Sequence, residues 1–250
     1  MKTVFITGAT SGIGKATAEL LAKQGHKIII CGRRTSVLEQ LKSELSLFTE
    51  IFSLNFDVRN REEVKNAIQS LPDDWKNIDI LINNAGNAHG LDSLADGNID
   101  DWEAMIDGNV KGLLYVSQPI IQLMKARNSG HIVNISSVAA RQTYANGVVY
   151  CASKKAVDVI SEGMRIELTE FGIKVTNIQP GAVSTEFSNI RFKGDHERAK
   201  TVYAGYEALK AEDIADAIAY CINAPERVSI AELCIYPKAQ AEPRMIYRKI

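Results

Sequence analysis

The amino-acid sequence predicts one α/β domain, built on a doubly wound parallel sheet of about seven strands with helices on both faces. Three observations support this fold class. Short β-branched apolar runs alternate along the chain with helical patterns. The first run leads into a glycine-rich turn that opens a helix. The length of 250 residues is one that single α/β domains commonly reach. We therefore predict a single domain over residues 1–250.

The first strand, turn and helix indicate a phosphate-binding site. Residues 3–7 form a β-rich run, and residues 13–23 carry apolar side chains at helical spacing. Gly8, Gly12 and Gly14 lie between and within them. Glycines at such a turn let the backbone approach a pyrophosphate at the helix N-terminus, where free N–H groups favour anions. The unit is typical of a Rossmann-type fold, although its spacing is G-x-x-x-G-x-G.

The residues after the second strand, at 27–31, indicate which dinucleotide binds. In an NAD-binding site an acidic residue there binds the ribose 2′-hydroxyl, whereas arginine accommodates a 2′-phosphate. This chain has Arg33 and Arg34 and no acid. Two guanidinium groups can hold a phosphate through charge-assisted hydrogen bonds. NADP is therefore the predicted cofactor, and a pair of solvated loop arginines is the alternative.

The next stretch continues the alternation of helices and strands. Ser36 and Glu39 have the spacing of a capping box, and Pro72 is expected to end a later helix. The predicted elements are a helix over residues 36–45, a strand over 51–56, a helix over 60–71, a strand over 79–82 and a polar loop over 86–97.

A long helical pattern covers residues 100–127 and contains Asn109. Gly112 and Pro119 interrupt it, and we expect Pro119 to kink it. Its apolar side chains suit packing on the sheet alone or packing on a second subunit as well. The elements that follow are a strand over residues 131–135, a helix over 149–171 and a sixth strand over 173–178.

The last part of the chain departs from this alternation. Residues 186–206 form a long, polar and mixed segment, which is a candidate lid over an active site. A helix over residues 211–223 and a seventh strand over 231–236 follow it. The basic tail that ends at Ile250 is a candidate for contact with a neighbouring subunit.

Tyr150 and Lys154 are the candidate reactive pair. Four residues apart on a helix, they share one face. A nearby ammonium group favours the phenolate, so we expect Lys154 to lower the pKa of Tyr150 toward working pH. Ser137 follows an apolar strand, and its hydroxyl can point at the same substrate oxygen as the Tyr150 phenol. A half-buried tyrosine beside a solvated lysine is the alternative.

The motifs together resemble the short-chain dehydrogenase/reductase family over nearly the whole chain. They are Ser137, Tyr150-x-x-x-Lys154, Asn109, the run at residues 83–86 and the glycine-rich turn at residues 7–14. The resemblance implies that Ser137, Tyr150, Lys154 and Asn109 are catalytic, with Asn109 freeing a backbone carbonyl that holds a water near Lys154.

The same resemblance implies a set of cofactor contacts. Asp57 would bind the adenine, Asn83 would tie strand ends together, and Val183 and Thr185 would anchor the nicotinamide carboxamide. For Asp57, a role as an acid at a helix N-terminus is the alternative. The implied cofactor-binding residues are Gly8, Thr10, Ser11, Gly12, Ile13, Gly14, Arg33, Arg34, Asp57, Val58, Asn83, Ala85, Gly86, Tyr150, Lys154, Pro180, Gly181, Val183 and Thr185.

Residues 185–195, together with Arg33 and Arg34, resemble the NADP-dependent 3-hydroxy acid dehydrogenases within this family. That resemblance implies oxidation of serine, allo-threonine and related acids by a homotetramer. Arg141 and Arg191 are the candidates for binding a substrate carboxylate, and Lys193 is a weaker third. The alternatives are a reductase of the same fold for thioesters, sugars or steroids, an NADP-binding regulator without activity, and a structural protein.

The composition favours no macromolecular partner. The net charge is −1, with 46% hydrophobic and 24% charged residues, which are globular averages and favour neither a nucleic-acid nor a membrane surface. The four cysteines include no CxxC pair and no His/Cys cluster, so neither a metal site nor a disulfide framework is predicted. The expected location is the cytoplasm.

Overall fold

The computed structural model of the chain describes residues 1–249 and contains one parallel sheet. Its strands are β1 Thr3–Ile6, β2 Lys27–Gly32, β3 Ile51–Asn55, β4 Ile80–Asn83, β5 Gly130–Ile135, β6 Ile173–Pro180 and β7 Glu232–Ile235. They lie in the order β3-β2-β1-β4-β5-β6-β7, and every neighbouring pair is parallel. The predicted doubly wound α/β fold is confirmed.

Helices cover both faces of this sheet. They are α1 Gly12–Lys23, α2 Thr35–Leu45, α3 Arg61–Gln69, α4 Ile99–Ile106, α5 Gly112–Arg127, α6 Val148–Leu168, α7 Phe187–Arg191, α8 His196–Val202 and α9 Ala211–Ile222. Apolar side chains of α1, α2 and α9 pack on one face, and those of α3, α5 and α6 pack on the other. All four residues of β1 and of β4 are buried, as expected for central strands of a sheet that is covered on both faces.

The strand order sets the position of a ligand site. β1 pairs with β2 on one side and with β4 on the other, so the chain changes direction across the sheet at this point. Crevices for ligands form at such a switch point, outside the carboxyl ends of the strands. The segments that follow β1, β4, β5 and β6 carry most of the residues predicted to be functional.

Two local predictions are wrong. Ser36 does not open a capping box, because α2 already begins at Thr35 and no side chain caps it; the Glu39 carboxylate accepts a hydrogen bond from the Ser53 hydroxyl instead (2.9 Å). Pro119 does not interrupt the helical pattern but lies inside α5, and the kink expected there stays a prediction. The long helical pattern is interrupted earlier, by a π-helical turn over Asp107–Lys111 that separates α4 from α5.

The predicted lid contains the two short helices α7 and α8. The C-terminal tail packs on it within the same chain: the Arg248 guanidinium donates to the carbonyls of Val202 (3.0 Å) and Ala204, and the Lys249 amide donates to the Gly205 carbonyl (2.7 Å). Contact of the tail with another subunit stays a prediction, and Ile250 lies outside the described residues.

Within residues 1–249, no helix combines the length and the apolar character needed to cross a membrane. The four cysteines are free thiols. In the same part of the chain, no group of three or more His, Cys, Asp or Glu side chains is arranged to hold a metal ion. His131 is buried, with its Nε2 atom 2.8 Å from the Thr176 hydroxyl, so its role is structural.

Candidate active site

A cleft of about 490 Å³ lies at the carboxyl ends of the strands. Its walls come from the turns after β1, β2, β3, β4, β5 and β6 and from the first residues of the lid. The wall therefore joins residues that are far apart in the sequence, from Gly8 to Ile190. Such a crevice at a switch point is where α/β folds hold nucleotides.

Close packing between β1 and β4 shapes the glycine turn. Gly8 has φ +65°, and a Cβ atom added there would lie 2.9 Å from the Cα of Ala85. Asn84 holds the turn in place, because its side-chain amide donates to the carbonyls of Thr7 (2.9 Å) and Gly8 (3.1 Å). Sequence reasoning did not assign a role to Asn84, although it lies within a recognised run.

Asn83 and Gly14 lie behind this wall rather than on it. The Asn83 amide donates to Ser117 (2.8 Å) and to Asn134 (2.9 Å), so this residue ties β4 to β5 and α5. A Cβ at Gly14 would lie 2.4 Å from the Gly8 carbonyl oxygen, so Gly14 allows the close packing of α1 on the turn. These contacts favour a supporting role for both residues, and their predicted contact with the cofactor stays a prediction.

The N-terminus of α1 opens into the cleft with its backbone donors available. Ser11 is the N-cap, its side chain makes no capping hydrogen bond, and the first turn contains no acidic residue. Thr10, Ser11, Gly12 and Ile13 all line the cleft. The free N–H groups and the helix dipole make this end suitable for a diphosphate.

Arginine side chains surround one end of the cleft. Arg34 donates to the Thr10 carbonyl (3.1 Å) and hydroxyl (3.1 Å) and also lies 3.4 Å from Glu186 of the lid. Arg33 is 63% exposed and lies 3.5 Å from Asp57. Both arginines line the cleft, so their guanidinium groups are available to a phosphate.

Asp57 is engaged by a third arginine that sequence reasoning did not assign. The Arg59 guanidinium donates to both oxygens of the Asp57 carboxylate, at 2.7 to 3.1 Å. Partial burial works to raise the pKa of Asp57, but the hydrogen bonds and charge of Arg59 outweigh it and hold this pKa below its ordinary value. Asp57 and Val58 line the cleft, but the carboxylate mainly organises Arg33 and Arg59.

The candidate reacting groups meet where β5 ends and α6 begins. Tyr150, Ser137 and Lys154 are all buried and all line the cleft. The Ser137 hydroxyl accepts from the Ala139 amide (3.1 Å) and lies 3.5 Å from the Pro180 carbonyl. The Lys154 ammonium donates to the Ile135 carbonyl (3.0 Å). Phe187 of the lid packs edge-on against the Tyr150 ring, with a centroid separation of 5.9 Å.

The expectation that Lys154 lowers the pKa of Tyr150 is wrong for this structure. Burial raises the pKa of Tyr150 well above its ordinary value, and the Ser137 hydroxyl and the Arg191 charge offset only part of this effect. Burial also lowers the pKa of Lys154 to about 8. The physical reason is that the apolar wall desolvates both groups, while the ammonium group bonds the Ile135 carbonyl.

Asn109 lies in the π-helical turn that separates α4 from α5. Its side-chain oxygen accepts from the Asn87 amide (2.7 Å), and its nitrogen donates to the Asn87 carbonyl (2.9 Å) and the Ser153 hydroxyl (2.9 Å). A Cβ at Gly86 would meet both the Asn109 oxygen (3.0 Å) and the Lys154 nitrogen (3.4 Å). Asn109 thus supports the wall near Lys154, and its water-holding role stays a prediction.

Pro180, Gly181, Val183 and Thr185 line the cleft after β6, as do Ala85 and Gly86 after β4. The lid contributes side chains that sequence reasoning did not name, and these are Glu186, Phe187 and Ile190. The only signal for them in the sequence is their position directly after Thr185.

The three candidates for carboxylate binding lie in different places. Arg141 is outside both the main cleft and the cavity beside it; it donates to Gln179 (2.8 Å) and lies 3.8 Å from Glu232, and these contacts favour a structural role. Lys193 pairs with Asp101 (2.9 Å), which favours a structural role for it as well. Arg191 lies beside Tyr150, with its guanidinium carbon 5.3 Å from the phenol ring centroid.

Comparison with known proteins identifies the family. The model of the family described as short chain dehydrogenase matches residues 2–195. The chain belongs to the short-chain dehydrogenase family. This short-chain dehydrogenase is 43% identical over 239 residues to the NADP-dependent 3-hydroxy acid dehydrogenase YdfG of Escherichia coli O6:H1, covering 95% of this chain and 96% of that protein. It is therefore an oxidoreductase that acts on CH–OH groups.

Two further similarities cover the full length of this short-chain dehydrogenase. The NADP-dependent 3-hydroxy acid dehydrogenase of Schizosaccharomyces pombe is 39% identical over 251 residues, covering 99% of this chain and 97% of that protein. A solved structure of the closed form of serine dehydrogenase complexed with NADP+ has a TM-score of 0.93 at 41% identity, covering 99% of this chain and 100% of the other.

Proposed function

We propose that this short-chain dehydrogenase interconverts small 3-hydroxy acids and their 3-oxo acids with NADP as the hydride carrier. The observation that carries the proposal is the single cleft that Tyr150, Ser137 and Lys154 share with Arg33 and Arg34. A proton donor and a phosphate-binding end in one crevice are what a dinucleotide-dependent oxidoreductase needs. The names of the relatives at 39–43% identity give the same cofactor and substrate class.

The residues of the cleft fit NADP. An added Cβ at Gly8 would lie 2.9 Å from the Cα of Ala85, so the turn carries no side chain that would block a diphosphate, and Arg33 and Arg34 would hold the 2′-phosphate. NADP, when bound, supplies the hydride acceptor or donor of the reaction. We assign its binding to Gly8, Thr10, Ser11, Gly12, Ile13, Arg33, Arg34, Val58, Ala85, Gly86, Tyr150, Lys154, Pro180, Gly181, Val183 and Thr185, all of which line the cleft.

Tyr150 is the proton-transferring group of the proposed mechanism. With its pKa raised by burial, the phenol is protonated at neutral pH and is ready to donate to a carbonyl oxygen during reduction. Oxidation of the hydroxy acid needs the phenolate, which the Arg191 charge and the Ser137 hydroxyl favour. Ser137 holds the substrate oxygen by a hydrogen bond while its charge changes. Lys154 and Asn109 keep the wall beside Tyr150 in place.

We also propose a cytoplasmic enzyme and a homotetramer. The support for the cytoplasm is the set of four free thiols, since such an environment keeps cysteines reduced. Support for an assembly comes from apolar side chains on the outer faces of α5 and α6, where Leu114, Val159 and Ile166 are 41%, 57% and 72% exposed. Native mass spectrometry measures the assembly directly.

A Tyr150→Phe variant tests the mechanism. Loss of the phenolic proton should lower kcat by about 10²–10⁴-fold, the range of general acid–base catalysis, while NADPH binding stays nearly unchanged. The assay compares NADP- and NAD-linked oxidation of serine, allo-threonine and 3-hydroxypropionate by the purified protein. Tyr220→Phe is the matched control, because Tyr220 is 66% exposed on α9. A Tyr150→Phe enzyme with the wild-type rate would overturn the mechanism, and turnover confined to thioesters, sugars or steroids would overturn the substrate class.

A further inference from the structure

Arg191 borders a second, smaller cavity next to the main cleft. This cavity has a volume of about 20 Å³, and Tyr150 and His89 line both spaces. A volume of this size accepts a small polar group and excludes a ring or a chain. Because Tyr150 forms part of both walls, a substrate whose reacting oxygen meets the phenol from the main cleft can extend a short group toward Arg191.

Contacts on two sides fix the Arg191 guanidinium. Its Nε donates to the Gly90 carbonyl (3.2 Å), and one terminal nitrogen donates to the Tyr144 hydroxyl (3.2 Å). The Gly90 amide donates in turn to the Arg191 carbonyl (3.0 Å), so the lid and the loop before α4 are joined by reciprocal hydrogen bonds. The Tyr144 ring packs against Gly147, where a Cβ atom would lie 2.0 Å from it. The plane of the guanidinium is therefore set before a ligand arrives.

The charge on Arg191 has no counter-charge. Within residues 1–249 its guanidinium forms no ion pair, although it is half-buried. Of the two acidic residues that line the small cavity, Asp101 is paired with Lys193 (2.9 Å) and Asp92 is exposed to solvent. A partly desolvated arginine with free N–H groups is a receptor for an anion, and its planar fork matches a carboxylate.

We propose that Arg191 binds the carboxylate of the substrate and that Tyr144 is a positioning residue that sets the plane of the guanidinium. The proposal rests on the proposed function and names the side chains that recognise the carboxylate of its substrate. In a 3-hydroxy acid a single carbon separates the carboxyl group from the carbon that bears the hydroxyl, so one small molecule can reach Tyr150 and Arg191 together. Because Arg191 belongs to α7 and its Nε donates to the Gly90 carbonyl, the carboxylate would bind where the lid meets the loop before α4.

The test compares an acid with its neutral analogue in the full-length enzyme with NADP. The substrates are 3-hydroxypropionate and 3-hydroxypropionamide, and the readout is the ratio of their kcat/KM values. This ratio cancels any effect common to both substrates, such as the influence of Arg191 on the pKa of Tyr150. We expect the wild-type ratio to favour the acid and Arg191→Met to lower it about 10- to 100-fold, the loss typical of a hydrogen bond to a charged group.

Three further variants separate recognition from structure. Arg191→Lys keeps the charge without the fork and should restore part of the ratio. Tyr144→Phe keeps the ring packing and should raise KM for the acid several-fold, with kcat and the amide kinetics little changed. Arg198→Met is the matched control, because Arg198 lies on the exposed side of the lid and stacks on Phe192. It should behave like the wild-type enzyme.

Specific outcomes would overturn the inference. Equal losses on acid and amide in Arg191→Met would mean that Arg191 only supports the lid. A wild-type ratio near one, with good turnover of both substrates, would remove the carboxylate site while leaving the proposed oxidoreductase activity intact. Absence of NADP-linked turnover of either substrate by the wild-type enzyme would overturn both the inference and the proposed function.

Discussion

Lys154 is a buried cation at the centre of the candidate site. Its side chain is 6% exposed, and burial lowers its pKa to about 8. The shift from the ordinary value of 10.5 means that the charged form is disfavoured in the folded protein by about 3 kcal/mol, at about 1.4 kcal/mol per pKa unit. The hydrogen bond from the ammonium group to the Ile135 carbonyl offsets part of this free-energy cost. The position of Lys154 in the candidate site is therefore maintained at a cost in stability.

A Lys154→Met variant should be more stable than the wild-type protein at pH 7, although it loses turnover. We expect a gain of up to about 2 kcal/mol, because removal of the charge relieves about 3 kcal/mol, whereas the unpaired Ile135 carbonyl costs about 1–3 kcal/mol. The sign follows from the lowered pKa: the penalty is complete below pH 8 and fades as pH rises to 10.5, because the folded lysine then loses its proton first. Urea unfolding at pH 7, 8.5 and 10 measures the difference.

Lys65→Met is the control for that experiment, because Lys65 is exposed on α3. It should change the free energy of unfolding by less than about 0.5 kcal/mol at each pH. A Lys154→Met protein that is less stable than the wild type at pH 7, or whose advantage does not shrink at high pH, would show that the ammonium group is not destabilising.

Residues whose role depends on position within one element could be predicted from the sequence. Tyr150 and Lys154 share a helix face, and Ser137 follows a strand, so their spacing in the sequence predicts that they lie at one edge of the sheet. The contact that Arg141 makes could not be predicted, because its partner Gln179 lies 38 residues further along the chain, in β6. The direction of the pKa shift at Tyr150 could not be predicted either, because it depends on burial in the folded protein, which a local sequence pattern does not show.

At the scale of elements, the helices and strands with strong periodicity were predictable, whereas their interruptions were not. The break that contains Asn109 is stabilised by hydrogen bonds to Asn87 and Ser153, which come from a loop and from α6. Such contacts override helix propensity only after the chain has folded. The lid helices α7 and α8 are 5 and 7 residues long, too short for a periodic pattern to reveal.

Two glycine variants test how the lid docks on the loop before α4. Gly90 has φ +64°, a backbone conformation that alanine adopts only with strain, so Gly90→Ala should displace the carbonyl and amide that bond Arg191. We expect KM for the acid substrate to rise several-fold and stability to fall by about 1 kcal/mol. Steady-state kinetics and urea unfolding measure the two effects.

Gly163→Ala is the matched change in α6, where an added Cβ meets nothing within 4 Å. It should stabilise the protein by about 0.5–1 kcal/mol and leave KM unchanged, since alanine is the better helix former. If Gly90→Ala behaved like Gly163→Ala, the reciprocal hydrogen bonds between Gly90 and Arg191 would have no part in substrate binding.

On the scale of the whole molecule, the cleft joins segments that are distant in the sequence. Arg34 contacts Thr10 on one side and Glu186 on the other, across 24 and 152 residues of sequence. The seventh strand, Glu232–Ile235, then completes the sheet beside β6. We therefore propose a single cooperative domain, in which the unfolded protein cannot retain the cofactor site.

One thermal transition is the expected consequence, and NADP should shift it further than NAD does. At a concentration 100-fold above its Kd, a ligand that binds only the folded state adds about 2.7 kcal/mol to the free energy of unfolding. In a chain of this size each kcal/mol raises Tm by roughly 2–4 °C.

Arg34→Ala should remove most of the excess shift caused by NADP over NAD, because it deletes one of the two guanidinium groups proposed to hold the 2′-phosphate. Scanning calorimetry at one protein concentration, without ligand and with NAD or NADP at the same concentration, measures these shifts. Two separate transitions would contradict the single domain, and equal shifts by NAD and NADP in the wild-type protein would contradict the phosphate role of the arginines.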